Sequence, residues 1–392
     1  MAPDLGADIF DLVEAFVSRF VSFPTEYARQ AYVLWIAHTW LMELWGTTPR
    51  LLLVSPEPGS GKTAALEIME WLVPHPSLTM NTSPAYFQYL IEESRELDGV
   101  LPTLLYDEID TIYVGRKSRS QNAEDMRNII DAGYRRSGKN ARRIGKTNAV
   151  FRVYAAMAMA GHMLPAQVPA TIRTRSIIIP MQWAMPGEIT DYWDPENAPE
   201  DELRALRALL QRWTEFVYSY AKEHPGVEIP VGADGHPIRN RDRDVWQPLL
   251  KVAQLAGGRW PEVAAVSAVS AVSASGVSSE PSEGLWLLWE IKAIFDRRRT
   301  DRIFTTDLLA ELHATGRFSW TGGRTQVAAI RMADILRGYG VTPPTPASRD
   351  QRIGNDKAKG YRREWFEDAW RRYPQPSRDS RDSGGNRDGA VR

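Results

Sequence analysis

The segment that most constrains the fold of this chain is the glycine-rich stretch SPEPGSGKT at residues 55–63. An apolar run precedes it at residues 51–54 and a helix-forming run follows it at residues 64–69, which indicates a strand, a loop and a helix. Glycines let backbone N–H groups turn toward phosphate oxygens, a lysine neutralises their charge, and the next hydroxyl binds Mg²⁺. The dipole of the following helix favours an anion at the same point. The pattern therefore predicts a loop that binds the phosphates of ATP.

The residues expected to hold the nucleotide lie at the end of this loop and the start of its helix. They are Pro58, Gly59, Ser60, Gly61, Lys62, Thr63 and Ala64. Thr63 is also an expected ligand of Mg²⁺, and Lys62 is expected to act in catalysis. One position departs from the usual pattern, because Pro56 stands where the first glycine is normally found. A second Gly-Lys-Thr at residues 145–147 has no apolar strand before it, and we expect no phosphate site there.

An acidic partner for the loop follows at residues 103–108, where the apolar run TLLY ends in Asp107 and Glu108. A buried strand that ends in two acids, at this distance behind a phosphate loop, is the Walker B arrangement. We expect Asp107 to hold Mg²⁺ and its waters, and Glu108 to polarise the attacking water as general base. This second role distinguishes hydrolysis of ATP from binding alone.

Three further residues are candidates for the hydrolytic apparatus. The strand expected after Walker B ends near His162, which is either a sensor of the γ-phosphate or a plain loop histidine. Arg175 and Arg173 precede the last core strand, where an arginine of an oligomeric ATPase reaches the neighbouring subunit's γ-phosphate. Arg175 is the first choice and Arg173 the second, and an ordinary strand-edge arginine is the alternative.

Alternation of strand and helix patterns between residues 50 and 180 indicates an α/β fold with a parallel sheet and helices on both faces. With the loop, this predicts a P-loop NTPase core of the AAA+-like kind. The full expected order is an N-terminal helical region at 1–48, the ATPase core at 49–185, a helical lid at 186–262, a flexible linker at 263–284, a winged-helix-like module at 285–375 and a disordered tail at 376–392.

Composition and charge exclude several kinds of site. The chain has 392 residues and no cysteine, which excludes disulfides, iron–sulfur clusters and thiolate zinc sites. Its six histidines lie far apart in sequence, so a metal site built from protein ligands alone is not expected. The start of the chain lacks the pattern of a signal peptide, and the apolar residues 31–45 are interrupted by His38 and Glu43. We therefore expect a cytoplasmic protein, in the host cytoplasm if phage-encoded, with no membrane partner.

Basic residues are concentrated between Walker B and the next strand, although the formal net charge of the whole chain is only −1. Such local clustering suggests a surface for a phosphate backbone, or else a solvated face or a surface between subunits. The stretch from residue 135 to 146 contains two glycines and is compatible with a hairpin that projects into the pore of a ring. The nucleic-acid contacts expected there are Arg135, Arg136, Lys139, Arg142, Arg143 and Lys146.

Taken together, these motifs resemble a domain family of unassigned function found in actinobacterial and actinophage ATPases. Its members are often fused to primase-type domains or described as helicases. The resemblance covers about residues 8–375. It is carried by the phosphate loop, by residues 34–39, 104–111, 131–136, 175–177 and 244–261, and by residues 359–373. It implies a replication- or mobile-element-associated ATPase. We expect no primase-type domain within these 392 residues, so any priming is expected to belong to another chain or not to occur.

Three functions remain open from the sequence. The first is an ATP-driven DNA helicase or translocase that works as a homo-oligomeric ring on single-stranded DNA, with ATP and Mg²⁺ and with replication partners such as a primase. The second is a DNA-binding ATPase that loads or regulates another protein, such as a helicase. The third is a nucleotide-dependent switch in host defence, whose C-terminal module would bind a protein. DNA-stimulated turnover of ATP separates the first from the third.

Overall fold

The computed structural model describes residues 5–80, 82–97, 100–113, 120–144, 147–232, 235–278, 282–343, 348, 350–353 and 356–375. The chain divides into two compact units, Met1–Ser279 and Glu280–Arg392. Of the predicted nucleic-acid contacts, Lys146 lies outside the described residues, and only the backbone is described at Arg142 and Arg143. The tail predicted at residues 376–392 also lies outside them.

A five-stranded parallel sheet forms the centre of the first unit, with the strand order β2-β3-β6-β1-β7. Its strands are β1 (Arg50–Ser55), β2 (Pro76–Thr79), β3 (Thr103–Tyr106), β6 (Ala156–His162) and β7 (Ser176–Pro180). Every residue of β1 is buried, as expected for a strand covered on both faces by helices. The predicted α/β class, with a parallel sheet flanked by helices, is confirmed.

One predicted strand is divided between two elements. The sequence indicates a single strand at residues 151–159, but the structure has β4 (Lys139–Ile144) and β5 (Thr147–Arg152) as an antiparallel hairpin, and β6 starts only at Ala156. The break is fixed by Tyr154, a buried residue between them whose hydroxyl donates to the carbonyls of Met42 and Trp45. A hairpin is therefore present, but its strands lie at residues 139–152 and not within 135–146 as predicted. Its projection into the pore of a ring stays a prediction.

Helices surround the sheet and continue before and after it. They are α1 (Leu5–Phe20), α2 (Glu26–Thr39), α3 (Lys62–Leu72), α4 (Pro84–Leu97), α5 (Asp110–Tyr113), α6 (Gln121–Ala132), α7 (Ala170–Arg173), α8 (Glu200–Glu223), α9 (Asn240–Ala256) and α10 (Trp260–Ser278). The first two and the last three pack on one another and share one hydrophobic core with the sheet. Within the described part of the chain, no helix is both long and apolar enough to cross a membrane.

Helix α10 occupies most of residues 263–284, for which the sequence indicates a flexible linker or, as the alternative, a short helix through the alanines; the structure has the helix. The Val-Ser-Ala pattern has no polar face, which made it resemble a tether. However, Trp260, Ala264 and Ala268 recur at helical spacing and are fully buried. Small side chains on this stripe let α10 pack closely against α2 and α9. Alanine is also the strongest helix former.

The second unit has the order helix, strand, two helices and two strands, followed by a short helix. Its elements are α11 (Glu283–Arg298), β8 (Arg302–Phe304), α12 (Thr305–Ala314), α13 (Thr325–Arg337), β9 (Asp350–Ile353), β10 (Asp356–Arg362) and α14 (Glu367–Arg372). The three strands form an antiparallel sheet with β10 in the middle. Leu288, Phe295 and Phe366 lie in a hydrophobic core that belongs to this unit.

Candidate functional site

The loop between β1 and α3 has the backbone that its glycines predict. Gly59 and Gly61 have φ angles of 72° and 77°, a left-handed conformation that costs other residues free energy. An added Cβ at Gly61 would lie 3.8 Å from Val21, an ordinary contact, so the conformation and not the space requires glycine there. Gly61 is the N-cap of α3, and the loop therefore ends at the positive end of the helix dipole.

Lys62 turns back into this loop. Its ammonium donates to the Glu57 carbonyl at 3.1 Å and to the Ser60 hydroxyl at 2.8 Å, and the side chain is buried. Burial lowers the pKa of Lys62, while the nearby Asp107 and Asp110 raise it. The charge is thus held at the centre of the loop, where an anionic ligand would find it.

Thr63 and Asp107 come together although 44 positions separate them in the sequence. The Thr63 hydroxyl donates to Asp107 Oδ2 at 2.9 Å, and the carboxylate is buried at the end of β3. No group of three or more His, Cys, Asp or Glu side chains that suits a metal occurs among the described residues. Two oxygen ligands nevertheless suit Mg²⁺, which takes one or two protein ligands and completes its shell with phosphate and water.

Glu108 has an uncommon backbone conformation, with a φ angle of 60°. Three contacts hold it: its N–H donates to Asp107 Oδ1 at 2.8 Å, and its carbonyl accepts from the N–H and the hydroxyl of Thr111. The side chain is exposed, and its carboxylate has no hydrogen-bond partner among the described residues. Strained backbone of this kind often occurs at functional sites, where the surrounding structure compensates for its cost.

His162 lies at the same edge of the sheet, because the register of the parallel pair places it beside Ser55. Its backbone N–H donates to Asp110 Oδ1 at 3.0 Å, and its imidazole ring is exposed. The preceding residue must be small, since a Cβ on Gly161 would lie 2.7 Å from Ile109. The structure thus brings the loop, the two acids and the candidate sensor to the carboxyl edge of the sheet.

A cavity of about 240 Å³ opens beside the loop and contains residues that the sequence reasoning missed. Gly59 and Gly61 form one wall, and the other comes from Phe20 and from residues after β7. Trp183 donates to the Pro58 carbonyl at 2.6 Å, which ties that segment to the loop. Tyr192 stands at the rim with 87% of its surface exposed. The sequence signal that could have indicated these residues is the concentration of aromatic residues at 183–193.

The candidate arginine fingers lie at the opposite edge of the sheet, where β7 begins. Arg175 is bound within its own chain, because its guanidinium forms an ion pair with Asp131 at 3.2 Å and donates to the Thr171 carbonyl. Arg173 is half-buried, and its side chain has no hydrogen bond or ion pair in the part of the chain that the structure describes. Neither arginine lies beside the phosphate loop of the same chain. Arg173 is therefore the better placed of the two for a neighbour's site.

Three of the predicted nucleic-acid contacts, Arg135, Arg136 and Lys139, also lie at this amino edge. Arg135 and Arg136 are exposed, and the first forms an ion pair with Asp244 at 3.6 Å. The backbone N–H of Arg136 donates to the Gly46 carbonyl, just before β1. Lys139 is exposed at the start of the hairpin.

Comparison with known proteins gives similarity without an assigned activity. A family model described as "Protein of unknown function (DUF3631)" matches residues 181–373, which begin after the sheet and do not include the phosphate loop. The chain is also 31% identical over 138 residues to the "Uncharacterized 28.9 kDa protein in xis 5'region" of Saccharopolyspora erythraea. The match spans 35% of this chain and half the length of that relative.

Proposed function

We propose that this chain is an ATP-hydrolysing P-loop enzyme of the AAA+-like class that acts on DNA, as a replicative helicase or translocase of a phage or mobile element. The observation that carries the proposal is the hydrogen bond from Thr63 to Asp107 beside the buried Lys62. The strand order places β1, which leads into the phosphate loop, between β6 and β7, and this order also supports the AAA+-like class. The helix and strand order of the second unit supports a winged-helix-like module.

In this proposal, the glycine-rich loop binds the triphosphate with its backbone N–H groups and with Lys62. Thr63 and Asp107 hold Mg²⁺, which when bound neutralises charge on the phosphate oxygens. Glu108 accepts a proton from the attacking water, and its unpaired carboxylate suits that role. His162 orients the same water or the γ-phosphate from the neighbouring strand.

The cavity beside the loop is proposed to hold the nucleoside part of ATP. It adjoins Gly59, Gly61 and Ala64, where the phosphates would end. The exposed ring of Tyr192 at its rim offers a surface on which a base can stack. The Ser22 hydroxyl and the Gln182 amide supply polar groups in the same cavity.

The proposal also includes action on single-stranded DNA in a homo-oligomeric ring, which depends on residues away from the phosphate loop. It is supported by the hairpin β4–β5, with Arg135, Arg136 and Lys139 at its base, and by Arg173, which is free to reach another subunit. Replication partners such as a primase remain part of this proposal. A helicase loader or a host-defence switch would use the same ATP chemistry without translocation.

The test is ATP turnover by the purified full-length chain, with and without single-stranded DNA. We expect Lys62→Ala to abolish nucleotide binding. Glu108→Gln should lower turnover about 10²–10⁴-fold and leave binding intact, because only proton transfer is lost. Glu93→Gln, an exposed acid on α4, is the matched control and should behave as wild type. Full turnover by Glu108→Gln would refute the assignment of the base, and turnover that DNA leaves unchanged would refute the motor.

A further inference from the structure

A second cavity, larger than the one beside the phosphate loop, lies at the other edge of the sheet. Its volume is about 980 Å³, within the range of sites that hold small ligands. It lies where β1, β3 and β6 begin, because Thr47, Leu101 and Tyr154 line it. Its other walls come from the end of α8, the middle of α9, α4, the segment after α6 and the end of β5. The length of β1, about 20 Å, separates it from the loop.

The charge of this cavity is strongly unbalanced. Six basic and two acidic side chains line it, a formal charge of +4, in a chain whose formal net charge is −1. Both acids already have a partner: Glu43 accepts from the Tyr218 hydroxyl at 3.0 Å, and Asp244 pairs with Arg135. The six basic residues are Arg95, Arg135, Arg136, Arg152, Lys222 and Lys251.

Three of these cations have no partner for their charged groups among the described residues: Arg95, Arg152 and Lys222. The Nε of Arg95 is buried and makes no hydrogen bond. Burial lowers the pKa of Arg95, and so do the neighbouring charges of Arg152 and Arg136, whereas the charges of Glu92 and Glu43 raise it. Glu92 also accepts a hydrogen bond from the backbone N–H of Arg152 at one of its carboxylate oxygens. An unpaired buried donor beside like charges destabilises the folded chain unless a ligand satisfies it.

We propose that this cavity is a second phosphate-binding site, separate from the nucleotide loop, in which Arg95, Arg136 and Arg152 bind the phosphate groups of a polyanionic ligand. The planar donors of arginine match phosphate oxygens two at a time, and three such groups suit a ligand with more than one phosphate. The phosphates come either from a free polyphosphate or from a nucleic acid strand at the base of the hairpin. The proposal does not depend on hydrolysis at the loop.

The test uses the full-length chain with Lys62→Ala, which removes the lysine of the first site. Binding of inorganic tripolyphosphate and of a short oligothymidylate is measured by calorimetry in this background and after addition of Arg95→Gln or Arg152→Ala. We expect each addition to weaken binding about tenfold, the loss of one charge-assisted contact. Arg212→Ala, on the exposed face of α8, is the matched control and should change nothing.

The two probes identify the source of the phosphates. Binding of tripolyphosphate alone indicates a free polyphosphate, and binding of the oligothymidylate indicates a nucleic acid strand; each supports the site if it depends on Arg95 or Arg152. Arg152 is exposed at the end of β5, so its replacement tests the site even if the Arg95 variant does not fold. The proposal is overturned if neither probe binds, or if the Arg95 and Arg152 variants bind as the Arg212 variant does.

Discussion

The two edges of the parallel sheet bring positive charge together in opposite ways. At the carboxyl edge a single lysine is surrounded by groups that satisfy it, since Lys62 donates to Glu57 and Ser60. At the amino edge several arginines converge, and Arg95 and Arg152 find no acceptor for their side chains among the described residues. The cation of the first edge is satisfied by its own chain, whereas the proposed phosphate site predicts that an anion stabilises the second edge.

The same contrast holds between cationic side chains that pair with an acid of their own chain and those that can pair with another molecule. Arg175, just before β7, is neutralised by Asp131 of its own chain, whereas the side chain of Arg173 makes no hydrogen bond or ion pair among the described residues. If the amino edge is where a neighbouring subunit or a polyanion binds, its free cations are the ones to test.

The largest effect is expected for Arg173→Ala, because an arginine supplied by a neighbouring subunit contributes about 10³-fold or more to turnover. Arg175→Ala should instead lower the free energy of unfolding by about 1–2 kcal/mol, since it leaves Asp131 without its partner. Its turnover per folded molecule should stay within a few-fold of wild type. Phosphate release and urea unfolding of both variants give the comparison.

A mixing experiment sharpens this contrast. Arg173→Ala retains its own Glu108, and Glu108→Gln retains its own Arg173, so a mixed oligomer contains some complete sites. We expect the mixture to recover turnover that neither variant has alone. Without such recovery, Arg173 does not act across a subunit interface.

The next largest effect is expected for Gly61→Ala. A side chain at a φ angle of 77° costs about 1–2 kcal/mol, and the relief of that strain would move the loop. A displacement of about 1 Å is enough to lower turnover roughly 10²-fold. Gly316→Ala introduces similar strain at a φ angle of 67° in the second unit, with open space around it. Equal turnover of the two variants would show that the loop conformation does not matter.

A smaller effect is expected for Tyr192→Ala, which removes the ring at the rim of the cavity beside the loop. Stacking on a base contributes about 1–3 kcal/mol, so the KM for ATP should rise about tenfold with kcat unchanged. Tyr27→Ala, an exposed tyrosine on α2, is the control. A fall in kcat at constant KM would argue against a role in binding the base.

The carboxyl edge was predictable because its chemistry is local in sequence. Gly59, Gly61, Lys62 and Thr63 are consecutive or nearly so, and Asp107 directly follows an apolar strand. The positive φ angles and the contact of Thr63 with Asp107 agree with what those residue types require. The strand order and the free carboxylate of Glu108, however, became known only from the structure.

The amino edge was predictable only in part: the basic cluster indicated Arg135 and Arg136, but the cavity is lined by residues from positions 43 to 251. Arg95 lies in an ordinary amphipathic helix, and Lys222 ends another, so neither pattern indicates a site. Only the fold brings them beside Arg136 and Arg152. For α10 the sequence left a linker and a helix both open, because its buried stripe consists largely of alanines, which hydrophobic periodicity alone does not separate from a linker.

The smallest effect concerns stability in the absence of ligands, and it compares the two edges directly. Arg95→Met keeps the apolar stem but removes an unpaired buried donor and its repulsion from Arg152, so the free energy of unfolding should rise by about 1 kcal/mol. Lys62→Met removes a buried charge, which stabilises the folded chain, and two hydrogen bonds, whose loss destabilises it. The two effects offset each other, so the free energy of unfolding should change by no more than about 0.5 kcal/mol. Urea unfolding in phosphate-free buffer measures both. If Arg95→Met is the less stable of the two, the amino edge is satisfied without a ligand, and the contrast between the edges fails.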